Sequence, residues 1–85
     1  MTRIVAAAVR TSDGLIHFMP APLRHHNIIH ALHDIYGPEA SRDIQGFITS
    51  TGHFEDRSIA AGTAIKSGQI KELQNPPLLY SEDLW

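Results

Sequence analysis

The order of apolar and polar positions divides the chain of 85 residues into a short series of elements. "RIVAAAVR", residues 3–10, is a run of small apolar side chains and reads as a strand that a helix or another strand can approach closely. "TSDG" follows, and its Asp13-Gly14 pair favours the positive backbone dihedrals of a hairpin turn. "LIHF" alternates and returns as the second arm over 15–19, and the prolines of "MPAP" end it. From about Pro22 the period becomes helical. Ile28, Leu32 and Ile35 share one face with Ile29 and Tyr36 beside it, which predicts a helix over 23–36 stopped by Gly37-Pro38.

"EASRD" reads as a loop, and strand propensity resumes over 44–50. "TGHF" is a tight turn in which Gly52 takes the left-handed conformation. A second helix is predicted over 57–67, with Asp56 as its N-terminal cap and Gly68 closing it. Its inward stripe, Ala60, Ala61, Ala64 and Ile65, is low in volume, so it should pack close to its neighbour. Gly62 lowers helix propensity and removes bulk. The tail carries a candidate short strand at Gln69–Lys71 and a double-proline corner. It then folds back as a clip, because joint exposure of Leu78, Leu79, Tyr80, Leu84 and Trp85 would be unfavourable. The expectation is α+β: one compact domain, 1–85, with a small antiparallel sheet and two helices on one face.

Composition narrows the chemistry. A chain this short is near the lower limit for burying its own core, and without cysteine it forms no disulfide, thiolate metal site or cysteine nucleophile. Only 19% of residues are charged, and the formal charge is -2. That low fraction and the apolar tail predict a homo-oligomer, with the alanine-rich helix or the N-terminal strand near the contact. No basic tail or aromatic-basic alternation points to a DNA or RNA duplex. "IVAAAV" is too short to cross a bilayer or to form a signal-peptide core, so a cytoplasmic location is expected.

"RHHNIIHALHD", residues 24–34, concentrates four of the six histidines. His26, His30 and His33 share one helical face. Two imidazoles one turn apart can both reach zinc, with Asp34, His17 or His53 as further ligands. The segment lacks the glutamate of "HExxH", and a solvent-facing row explains it more simply. Arg24 and His25 stand at the helix start, where free amides favour anions and a guanidinium can grip phosphate. "GFITSTGHFEDR" joins Phe47, Thr49, Ser50, Thr51 and Arg57 around the second helix start. There Phe47 can stack on a base while hydroxyls and Arg57 bind phosphate or ribose. The competing assignment puts Phe47 in the core and the hydroxyls in the turn. Glu55-Asp56 and Glu82-Asp83 are adjacent pairs that point apart, and neither forms an acid-base dyad. No nucleophile turn or phosphate-loop motif is present, so an enzyme is not expected and no cofactor is implied.

"RH" opening the first helix, "QGFITSTGHFEDR" leading into the second and "GQI…LYSEDLW" at the end together resemble the anti-Thoeris family of bacteriophage proteins. The match covers about two-thirds of the chain. Members of that family sequester cyclic ADP-ribose-type signals of a host defence, and some are described as binding cyclic oligonucleotides. The resemblance implies a homo-oligomeric α+β subunit in the host cytoplasm, holding a cyclic nucleotide-type ligand intact at subunit boundaries. It nominates Arg24, His25, Phe47 and Arg57 as ligand contacts, to which the residue pattern around the second helix start adds Thr49, and no metal site is expected. His53 stands where the family pattern has arginine in its "TG-x-F" turn, which weakens phosphate attraction there. The link between the first helix and "QGF" is also brief, which bears on ligand preference. The alternatives are a small phage protein that inhibits a host factor through its apolar tail, or a metal-dependent hydrolase centred on the helix histidines.

Overall fold

A computed structural model describes residues 2–11, 13–36 and 44–85. Strand β1 (Ile4–Arg10) and strand β2 (Ile16–Pro20) form the expected antiparallel hairpin. Gly14 turns it at φ 87°, and the Asp13 carboxylate accepts hydrogen bonds from the Thr11 hydroxyl and the Leu15 amide. Helix α1 (His25–Tyr36) follows. The expected Gly37-Pro38 stop and the loop after it lie outside the described residues. Strand β3 (Ile44–Thr49), strand β4 (Phe54–Asp56) and helix α2 (Arg57–Lys66) complete the main elements, with a 3-10 turn at Ser81–Asp83. The sheet is antiparallel throughout in the order β2-β1-β3-β4.

Register explains which side the helices cover. Ala7 pairs with Phe47 and Met19, and Val9 with Gln45 and His17, so these side chains share one face. Ala7 and Val9 pack under Ile28 and Leu32 of α1. Ile4 and Phe47 pack under Ala60, Ala61 and Ala64 of α2, together with Leu79. Both helices therefore lie on one face, as the apolar periodicity indicated. A bulge between Ile4 and Ala6 lets Ile4 face inward beside Thr49.

Capping follows the sequence closely at α2. The Asp56 carboxylate accepts from the Ile59 amide at 2.9 Å. Gly68, at φ 78°, ends the helix while the Gln69 amide reaches back to the Ala64 carbonyl. At α1 the Asn27 side chain reaches back to the Arg24 amide, so Arg24 is the flanking residue and the helix begins two residues later than predicted.

Four expectations change. Residues 54–56 are a strand, not the outflow of a turn: Gly52 at φ 84° reverses the chain so tightly that Phe54 pairs directly with Ile48. No strand forms at Gln69–Lys71. The Gln69 carboxamide instead takes both backbone groups of Ile4, accepting from its amide at 2.6 Å and donating to its carbonyl at 2.8 Å. Ile35 is 72% exposed because the end of α1 overhangs an open groove beside Ile16 and His17. Ile65 is 45% exposed, which leaves the inward stripe of α2 purely alanine.

Candidate functional site

The N-terminal ends of the two helices meet over the first half of β3. Arg24 and His25 come from the start of α1, Arg57 from the first position of α2. The His25 ring is buried and edge-on to Phe47, with centroids 4.8 Å apart. Its Nε2 lies 2.6 Å from the Gly46 carbonyl oxygen, a contact that requires Nε2 to carry the proton and donate. Nδ1 is then the acceptor for the Ser81 hydroxyl at 3.3 Å. Burial pushes the His25 pKa below its ordinary value, opposed by the hydrogen bond to Gly46, and the nearby Arg57 charge pushes in the same direction as burial. His25 is a neutral tie between α1, β3 and the tail.

Gly46, whose carbonyl receives that bond, also allows a close approach from β4. A Cβ there would overlap the Glu55 carbonyl oxygen and sit 2.5 Å from Phe54 Cζ. Only glycine lets the ring of Phe54 lie across the strand.

Arg57 is half-buried, and one terminal nitrogen donates to the Gln45 side chain. Its guanidinium stacks on Tyr80 at 4.4 Å from the ring centroid. The Nε of Arg57 is buried and has no hydrogen-bond partner among the described residues. Arg24 Nε donates to the Trp85 carbonyl at 2.6 Å, and the Trp85 indole donates to the Leu23 carbonyl at 2.8 Å. The tail from Leu79 to Trp85 thus runs across both helix starts, with the Leu79 amide bonded to the Arg57 carbonyl.

Two of the nominated contacts take other roles. Phe47 has no exposure, so its ring is not available for stacking on a base. It belongs to the core, and Tyr80 is the aromatic ring beside the cationic group. Thr49 is 2% exposed and lies four residues along β3 from Gln45, roughly 13 Å away. Its hydroxyl accepts from the His53 amide and pairs with Thr51, while Thr51 also contacts the His53 ring at 2.9 Å. The hydroxyl cluster satisfies its own turn. Arg24, His25 and Arg57 remain as the group that the fold gathers.

Gln45, Tyr80, Ser81 and Trp85 were not nominated from the sequence. Only Gly46 carried a local signal, since a glycine within a strand marks a close approach. His26, His30 and His33 are exposed on the outer face of α1. Among the described residues no group of three or more His, Asp or Glu side chains is placed to hold a metal ion. The zinc arrangement, with His17, Asp34 or His53 as further ligands, is therefore not assembled. No helix among them is long and apolar enough to cross a membrane.

A family model described as "Phage T4 y16D protein" matches residues 3–85. The chain belongs to the phage T4 y16D protein family. Nothing among curated proteins or solved structures matches it. Membership in the y16D family spans both helix starts and the whole "LYSEDLW" tail, so Arg24, His25, Arg57 and their cover fall within one family unit.

Proposed function

We propose that this phage protein is a non-catalytic sponge. It binds and sequesters a cyclic ADP-ribose-type or cyclic oligonucleotide immune signal in the host cytoplasm and so antagonises antiphage defence. The carrying observation is Arg57: a half-buried arginine at a helix start, with a buried Nε–H that has no partner among the described residues and a flat aromatic ring against it. Buried donors are nearly always satisfied, and a phosphate oxygen is the acceptor this geometry suits best. Arg24 at the other helix start supplies a second cation, and the positive dipole end of a helix favours an anion there. His25 positions rather than grips, because its two nitrogens are engaged with Gly46 and Ser81. Tyr80 takes the stacking role first assigned to Phe47. Assembly into a homo-oligomer would complete the pocket at subunit boundaries.

The non-catalytic part of the reading is supported by Ser81. Its hydroxyl reaches an imidazole, but at 2% exposure it meets no substrate. Inhibition of a host factor through the apolar tail has less support, since Leu79 has no exposure and Leu84 and Trp85 pack against the cores.

The deciding experiment mixes the protein with cyclic ADP-ribose isomers and cyclic oligonucleotides, removes free ligand, heats the complex and identifies what is released. Stoichiometric recovery of intact ligand is expected. Recovery of a cleaved product would make it an enzyme, and no heat of binding with any of them would sink the sponge.

A further inference from the structure

The helices cover only one side of the sheet, and the other side is apolar. Register places Ile16, Phe18 and Pro20 of β2 beside Arg10, Ala8 and Ala6 of β1 on that open side. Ile44, Gly46 and Ile48 of β3 continue the rows, and Asp56 and Phe54 of β4 close them. Phe18 is 60% exposed, Ile44 47% and Ile16 43%. The Phe54 ring covers Gly46, and Ala6 and Ala8 are buried between the flanking side chains, so Phe18, Ile16 and Ile44 carry the apolar exposure. A soluble chain seldom leaves such a surface to water.

We infer that the open sheet face is a docking surface for a second copy of this chain, packed sheet on sheet. Two features select a copy over another partner. Register places Arg10 and Asp56 on this face, Arg10 over the Phe54 ring at 5.2 Å and Asp56 with one carboxylate oxygen on the Ile59 amide. The two exposed charges are opposite in sign. A twofold arrangement sets Arg10 of each copy toward Asp56 of the other, so the face is its own electrostatic complement. A strongly acidic or basic partner would match only one of the two.

The second feature is area. Four strands about 4.8 Å apart, of three to seven residues at about 3.3 Å each, give a face of roughly 19 by 17 Å. Side-chain relief raises the accessible area above that projection, so two copies together bury on the order of 1,000 Å2, the lower end of specific interfaces. That suits a dimer which dissociates at micromolar concentration. Two sheets each covered by helices on the far side form a four-layer particle with an internal core, a common solution to a one-sided sheet.

This inference goes beyond the proposed function: the contact lies on the side of the sheet away from Arg24 and Arg57, so it is a boundary separate from one that would complete the pocket. Light scattering after size exclusion, on ligand-free full chain from micromolar to millimolar concentration, decides it whatever the ligand assay gives. The parent should pass from monomer to dimer across that range. Phe18→Lys and Ile44→Lys should keep the far-UV circular dichroism of the parent and weaken the dimer at least about tenfold, since each buries a charge against a like face. Arg10→Glu, a change at an exposed position, should weaken it by a similar factor by setting two acids together. Ile65→Lys, on the exposed side of α2, should leave assembly unchanged. A parent that stays monomeric throughout overturns the proposal. So does a dimer indifferent to all three sheet variants, or one dissolved by Ile65→Lys.

Discussion

Arg57 makes one hydrogen bond to Gln45, stacks on Tyr80 and leaves its Nε without an acceptor. A residue so placed contributes less to the fold than its burial suggests and more to whatever supplies the missing acceptor. Arg57→Ala should lower affinity for the cyclic signal by about tenfold to more than a hundredfold, the range expected when a charged hydrogen-bond partner is lost. Calorimetry on parent and variant measures it, and equal affinities would remove Arg57 from the pocket. Arg57→Lys should recover little, because an ammonium has neither the fork nor the planar face that Tyr80 receives. His25 makes a separate prediction about pH. Its folded pKa lies below the unfolded value of about 6.5 because burial disfavours the imidazolium. The unfolded chain therefore binds the proton more readily between those two values. Its contribution is complete above about pH 6.5 and lost progressively as pH falls toward the folded pKa, with a slope of at most about 1.4 kcal/mol per pH unit. Urea midpoints between pH 7.5 and 5 should fall for the parent and flatten in His25→Asn, a comparison that cancels shared titrations.

At the scale of elements, the features readable in the sequence were those encoded locally. Asp56 caps α2 because its carboxylate needs only the amide three residues on, and Gly68 ends it because only glycine takes that dihedral without strain. The outward row of His26, His30 and His33 followed from helical period alone. Features set by distant segments were not readable. Three residues, Phe54–Asp56, are too few to show a period of two, and their pairing with β3 depends on the turn at Gly52. Gln69 looked like a strand residue, and its side chain does pair like one, with Ile4 at a separation of 65 positions. At the candidate site, the placement of Arg24, His25 and Arg57 at helix starts was legible because helix starts carry local signals. Gln45, Tyr80 and Ser81 matter through contacts no local pattern contains. The alanine stripe of α2 bears directly on packing: Ala60 and Ala64 have no exposure, and only a small side chain allows the helix so near β3 and β4. Ala64→Leu should destabilise by about 1–3 kcal/mol through overpacking. Denaturant unfolding tests it, and an unchanged midpoint would mean the helix can lift off the sheet freely.

Across the whole molecule, two small cores must be joined. α1 covers one with Ile28 and Leu32, and α2 covers the other with its alanines and Leu79. Trp85 packs against both clusters, donates to the Leu23 carbonyl and receives Arg24 on its own carbonyl. Neither core alone is large enough to sustain independent folding in a chain of this size. The tail is therefore the element that makes two halves cooperate, and its position across Arg24 and Arg57 couples that cooperation to the candidate site. Since Trp85 is the single tryptophan, its emission reports the tail alone, while far-UV circular dichroism reports the helices and sheet. In urea the two signals should change together with one midpoint, as for a two-state domain. Trp85→Ala should lower stability by about 2–4 kcal/mol, comparable to other large-to-small changes in packed positions. It should also weaken ligand binding, because without the indole's bond to the Leu23 carbonyl the tail no longer fixes the main-chain carbonyl that receives Arg24. If fluorescence shifts at lower urea than the dichroism, the tail detaches before the cores open, and the link between folding and site belongs to the sheet instead.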